Sequence, residues 1–179
     1  MGGRTEGRSS KTLPPWGFPD GLYVARRRFE SPVALEARIG ILKDRLVVEG
    51  VEYPLRREGG GWVSVPSVGR RSAGRVRYDS LRDRIRIDGP CGPLTIQFRW
   101  RHTWFEFSGH RYQVGPMVWG HIMVSRDDRP LITGRVTLSG VRLGYVAPEL
   151  ESIAPQIAVG LAFRAIMIWV SSGTTAAVL

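Results

Sequence analysis

Across residues 22–145, apolar and polar side chains exchange places at every second position, in short runs separated by Gly, Pro, Ser and Asp. A period of two marks strands with one buried face. It predicts strands near 22–29, 33–40, 45–49, 52–57, 62–65, 73–79, 84–88, 94–100, 103–108, 111–114, 119–125, 130–138 and 141–145. Gly59-Gly60-Gly61, Gly89-Pro90-Cys91-Gly92-Pro93, Ser108-Gly109 and Asp127-Asp128 lie between them and carry turn chemistry. Strands this closely spaced point to an antiparallel barrel or sandwich. At Pro148 the pattern changes. Residues 148–170, PELESIAPQIAVGLAFRAIMIWV, are apolar on nearly every side and predict one helix. Pro148 suits its first position, Glu149 and Glu151 suit the positive end of its dipole, and Pro155 predicts a restart or a kink.

A helix without a polar face is buried either in protein or in lipid. Ile153 to Val170 gives 18 residues, the lower margin for crossing a bilayer. Arg164, near its middle, would cost about 2.5–3.5 kcal/mol at the bilayer centre. The small residues Ala158, Gly160, Ala162 and Ala165 suit close packing inside a barrel, which is otherwise hollow at this strand number. The expectation is a mainly β domain over 20–172: an antiparallel, roughly twelve-stranded barrel of meandering hairpins enclosing one apolar C-terminal helix at about 148–170. Arg164 then sits at a barrel opening or pairs with a carboxylate. A membrane anchor made by the C-terminal segment is the alternative. Residues 1–19 read as a flexible basic tail and 173–179 as a short one.

The hairpins repeat. LKDRLVVEG at 42–50 returns as LRDRIRIDG at 81–89, identical or conservative at eight of nine positions, and Pro54-Leu55 returns as Pro93-Leu94 at the same offset of 39. The exception, Val47 against Arg86, lies between Leu46/Ile85 and Val48/Ile87. Period two sends the outer pair to a core and the middle residue outward. Glu49-Gly50 and Asp88-Gly89 then predict the turns that follow.

Composition adds compartment and charge. The 179 residues include a single cysteine, Cys91, so no disulfide forms within the chain and a cytoplasmic setting is expected. The segment MGGRTEGRSSKTLPPWGFPDG lacks the apolar stretch of a secretory signal, and Glu6 stands where a myristoylation motif needs Ser or Thr. Net charge is +10, and Lys11 and Lys43 are the only lysines among 26 basic residues. A GC-rich genome alone would favour arginine in this way, yet the charge still attracts polyanions.

A long β-meander closed by one apolar helix resembles the Tubby C-terminal-like superfamily, which includes LURP-one-related proteins and phospholipid scramblases. HIMVSRDDRPLITGRV is similar to that group's strand, acidic turn and strand; GYVAPELESIAPQIAVGLAFRAIMIW resembles its closing strand and helix; the repeated hairpins resemble those of LURP-one-like domains. The resemblance covers residues 20–171 and implies a twelve-stranded barrel threaded by its helix. For function it implies a binding or scaffolding module, since Tubby domains bind phosphoinositides through basic residues. The scramblases' calcium segment is acidic, whereas SGVRLGYVAPELE is not acid-rich, so their calcium chemistry is not carried over.

No catalytic constellation stands out. His102, His110 and His121 lack metal-ligand spacing, and there is no nucleophile elbow, P-loop or dinucleotide fingerprint. No enzyme, cofactor or metal is expected. The leading candidate is an arginine ladder: Arg75 and Arg77, Arg82, Arg84 and Arg86, and Arg99 and Arg101 alternate with inward residues. On neighbouring strands they would form one guanidinium-rich outer face able to hold anionic phospholipid headgroups or another polyanion. A solvated exterior neutralised by Asp79, Asp83 and Asp88 is the plainer alternative. Nucleic acid is less favoured, because Trp100 falls opposite Arg99 and Arg101 and should point inward rather than stack on bases. Peripheral rather than integral membrane contact follows.

Overall fold

The computed structural model describes residues 35–40, 43–99, 103–117 and 120–171, all within one compact unit, Ser31–Leu179. The strand expected at 22–29, both tails, Trp100, Arg101 and His102 lie outside the described residues.

Thirteen strands form one sheet: β1 (Leu35–Arg38), β2 (Arg45–Val48), β3 (Val51–Pro54), β4 (Arg56–Arg57), β5 (Val63–Val65), β6 (Gly74–Asp79), β7 (Arg84–Gly89), β8 (Gly92–Gln97), β9 (Thr103–Phe107), β10 (His110–Val114), β11 (His121–Arg126), β12 (Arg129–Thr137) and β13 (Gly140–Val146). Every pairing is antiparallel, in the order β3-β2-β1-β13-β12-β11-β10-β9-β8-β7-β6-β5-β4. This is a meander bent into a nearly closed barrel, as expected. The strand expected at 52–57 divides at Leu55 into β3 and β4, and the seam of the barrel lies between these two. The Leu55 N–H donates to the Asp44 carbonyl at 3.0 Å and ties the seam to the turn before β2. Closure depends on β13 lying close against β1. There Gly140 has φ 153°, and a Cβ on it would strike the Ala37 carbonyl oxygen, so only glycine fits.

The helix α1 (Ala154–Ser171) fills the barrel. Pro148–Leu150 form a separate 3-10 turn, so the Pro155 signal proves to be a restart. Glu149 and Glu151 are therefore not at the helix N-terminus. They lie 3.2 Å from Arg126 and 3.4 Å from Arg71 instead. Ala154 to Ala162 are buried without exception, which explains why this stretch has no polar face. Gln156 is the one polar residue among them, and it donates to the Ser72 carbonyl at 2.6 Å. The helix leans on β13, β1, β6 and β7. Gly160 permits this approach, because a Cβ there would stand 2.5 Å from Ile85 Cγ2. From Met167 onward the helix leaves the barrel and is exposed. The end where it leaves is called the mouth below, and the opposite end the floor.

The sequence repeat corresponds to a structural one. Leu46 and Val48, like Ile85 and Ile87, face the core, while Val47 and Arg86 face away. The carbonyls of Asp44 and Asp83 accept from the N–H groups of Leu55 and Phe98, each closing its hairpin at the mouth. The carboxylates also match: Asp44 takes Arg57 at 2.6 Å and Asp83 takes Arg164 at 2.8 Å. The turns differ. Glu49-Gly50 turns as expected, but Asp88 and Gly89 remain in β7, paired with Pro93 and Gly92, and the turn falls on Pro90-Cys91. Proline suits a turn there because it supplies no N–H to the ladder.

Candidate functional site at the barrel mouth

The arginine ladder is less uniform than period two implies. Arg75 and Arg77 lie on β6 and Arg84 and Arg86 on β7, but Arg82 belongs to the preceding turn and Arg99 lies past the end of β8. The strands end there because the Asp83 and Phe98 backbone bond to each other and close the hairpin. The β6–β7 register places Arg75 opposite Asp88, Arg77 opposite Arg86 and Asp79 opposite Arg84. The outer pairs are ion pairs, Arg84 to Asp79 at 3.0 Å and Arg75 in direct contact with Asp88. The carboxylate at Asp88 raises the Arg75 pKa further. Asp79 is held below its ordinary value: burial pushes it up, but hydrogen bonds and charge from Arg84 outweigh that. Two of the ladder's charges are therefore spent. Arg77 and Arg86 face each other with no carboxylate in ion-pair range among the described residues, and Arg82 and Arg99 are exposed at the mouth, likewise without an ion pair.

The mouth also gathers apolar side chains that strand periodicity does not single out. Leu81 and Leu138 occupy the tips of the β6–β7 and β12–β13 turns and are 98% and 86% exposed. The end of α1 adds Trp169 and Val170, at 40% and 70%. The sequence does carry a signal for Leu81, a large apolar residue at a turn position where polar residues are the rule. Leu138 instead falls at the end of the strand expected at 130–138 and is released into the turn because β12 stops at Thr137. Lys43 is exposed in the β1–β2 connection, which reaches this end through the bond from the Ile39 N–H to the Ser139 carbonyl at 2.8 Å. The floor carries both signs: Glu49, Asp127 and Asp128 in its turns with Glu149 beside them, and Arg70 and Arg71 in the β5–β6 connection.

Arg164 anchors the emerging helix. Its Nε and one terminal nitrogen donate to the two Asp83 oxygens at 2.8 Å each, and the Tyr78 hydroxyl donates to Asp83 at 2.9 Å. The guanidinium also lies 3.9 Å over the Phe98 ring. Burial raises the Asp83 pKa, but the hydrogen bonds from Arg164 and Tyr78 outweigh it and hold the carboxyl below its usual range. Burial and the bond to Asp83 push the Tyr78 hydroxyl up to about 12. Both sequence expectations for Arg164 are met, since it is at the opening and it is paired.

Two tryptophans near the ladder are already covered by guanidinium groups. Arg75 lies 5.2 Å from the Trp62 ring and Arg111 lies 4.3 Å from Trp104. His110 begins β10 at the floor and His121 begins β11 at the mouth, and Cys91 is exposed in the β7–β8 turn. Among the described residues no three His, Cys, Asp or Glu side chains come together as a metal-ligand set. Comparison with protein-family models, curated proteins and solved structures returns no match.

Proposed function

We propose that this chain is a non-enzymatic peripheral membrane module that seats the mouth of its barrel on an anionic phospholipid surface at the cytoplasmic face. The observation that carries the reading is the grouping at one end of Leu81, Leu138, Trp169 and Val170, all exposed, with Lys43, Arg82 and Arg99 among them. Apolar side chains enter the acyl boundary, tryptophan favours the interface, and basic residues add about 1 kcal/mol each near an anionic surface. Arg77 and Arg86 lie further along the outer wall, on β6 and β7, and can hold headgroup phosphates by charge-assisted bonds. The resemblance to Tubby C-terminal-like domains, as helix-filled barrels with phosphoinositide-binding members, supports the same reading. Nucleic acid is the weaker partner because the Trp62 and Trp104 faces are taken by arginines. A spanning anchor would require Ala154 to Ala162 to leave the core they fill.

Flotation with vesicles of phosphatidylcholine, with and without phosphatidylglycerol, tests this. Binding is expected with the anionic vesicles alone and should weaken as salt rises. Leu81→Glu combined with Leu138→Glu should lower it at least about tenfold, with the fold unchanged because both side chains are exposed. Equal binding by that variant overturns the docking surface. A salt-dependent nucleic-acid shift without flotation overturns the membrane reading as a whole.

A further inference from the structure

Beside the protruding end of α1 the mouth contains a half-open groove of about 880 Å³, within the roughly 300–1,000 Å³ usual for small-molecule sites. Its origin lies in the packing. The helix leans on β13, β1, β6 and β7, which leaves space on the side of β9 to β12. At mid-height the stacked rings of Phe105 and Tyr112, 5.2 Å apart, fill that space. Nearer the mouth, Thr103, Gly115 and Gly120 are among the described residues that line the open space. Its apolar walls are Phe98, Met117, Val136, Ala165, Ile168 and Trp169.

Polar groups concentrate on one side. The Asp83 carboxylate is satisfied by Arg164 and Tyr78. Arg164 uses Nε and one terminal nitrogen on Asp83, and its other terminal nitrogen has no hydrogen-bond partner among the described residues. Arg99 borders the groove with its guanidinium free of any ion pair among the described residues, while its backbone N–H donates to the Thr103 hydroxyl at 3.3 Å. The groove thus combines an apolar trough with unspent cationic donors at one side, and it opens on the face proposed to meet the bilayer.

We infer that this groove takes one anionic single-chain amphiphile, a long-chain fatty acid or a lysophospholipid, with its chain between α1 and the β9–β12 wall and its headgroup on Arg99. The inference rests on the membrane-docking reading for its source of ligand, and its test separates the two. Burying the methylenes of even a partly enclosed chain supplies the affinity the probe reads. The probe is cis-parinaric acid, a fluorescent long-chain fatty acid, titrated below its aggregation limit into the intact chain without vesicles. A saturable rise in its emission, with energy transfer from tryptophan, is expected. Val136→Trp on β12 and Met117→Trp in the connection after β10, which fill the trough from two different places, should each weaken binding at least about tenfold. Arg99→Glu should weaken it for the acid but not for its methyl ester. Flotation on anionic vesicles should survive the two filling variants. Leu81→Glu with Leu138→Glu should do the reverse, losing flotation and keeping the probe. No saturable rise, or an equal rise in both filling variants that keep the wild-type melting transition, overturns the inference. The space is then held by solvent or by the chain itself.

Discussion

Asp83 has three tasks at once. Its carbonyl closes the β7–β8 hairpin, its carboxylate fixes Arg164 at the point where α1 leaves the barrel, and it accepts from Tyr78. Removing Arg164 leaves the carboxylate with Tyr78 alone, but Asp83 is partly exposed, so water recovers part of the loss. Arg164→Met is expected to cost about 1–2 kcal/mol in urea denaturation, less than the 3–5 of a fully buried pair. Asp83→Asn should cost a similar amount, and the double variant less than the sum. The pH dependence has a definite sign at each end. The folded-state pKa of Asp83 lies below its ordinary 3.8, so its contribution is present above 3.8 and disappears as pH falls through the lower folded value. Tyr78 titrates higher in the folded state, about 12 against 10.0, so its contribution is complete below pH 10 and lost as pH rises towards 12. Tyr78→Phe should flatten the alkaline limb of a stability profile without moving the acid limb by more than the lost hydrogen bond. An unchanged alkaline limb would remove Tyr78 as its source.

Among the elements, α1 and β7 meet where Gly160 lies directly against the Ile85 side chain. Gly160→Ala would press a methyl against Ile85 Cγ2 and is expected to cost about 1–3 kcal/mol. Ile85→Ala removes that methyl and leaves a cavity, costing about 2–5 kcal/mol. Because each change accommodates the other, the double variant should be more stable than the sum implies by at least about 0.5 kcal/mol, measured as a double-mutant cycle in urea. Strict additivity would mean the helix shifts instead. These elements were legible to different degrees in the sequence. Period two located the strands, since Leu46, Val48, Ile85 and Ile87 all face inward, and the nearly uniform apolar 154–162 stretch, with Gln156 its one polar residue, announced a helix enclosed on every side. The second hairpin turn was displaced because Asp88-Gly89 and Pro90-Cys91 are both turn sequences, and only the pairing of Gly89 with Gly92 decides between them. Cross-strand partners were the main thing hidden. No local pattern tells that Arg75 meets Asp88 while Arg77 meets Arg86, so the number of free charges on the ladder emerges only from register. Leu81 lay beyond a reading based on alternation because it sits in a turn, where alternation stops, while Leu138 falls within the expected strand 130–138, which ends one residue earlier, at Thr137.

For the molecule as a whole, α1 divides at about Ala165 into two parts with separate duties. Residues 154–162 are all buried and occupy the interior that thirteen strands enclose, so the wall has no other core to fold around. Residues 167–171 are exposed and lie outside the fully buried stretch. Ending the chain after Ser152 should therefore abolish any cooperative thermal transition and leave an aggregating chain, since the inward faces of the strands lose their partner. Ending it after Ala165 keeps Arg164 on Asp83 and the whole plug. It gives up the partly buried Ile166 and the exposed tip. A loss of about 1 kcal/mol is expected, which lowers the melting temperature by roughly 2–4 °C in a chain of this size. The same shortened protein should no longer float with anionic vesicles, because Trp169 and Val170 are gone. A shortened chain that melts cooperatively and still floats would assign docking to Leu81, Leu138 and the arginines alone. One that fails to fold would mean that the tip belongs to the core. The expected result, a folded barrel that has lost the membrane, would show that one continuous apolar helix serves the fold with its first half and the bilayer with its second.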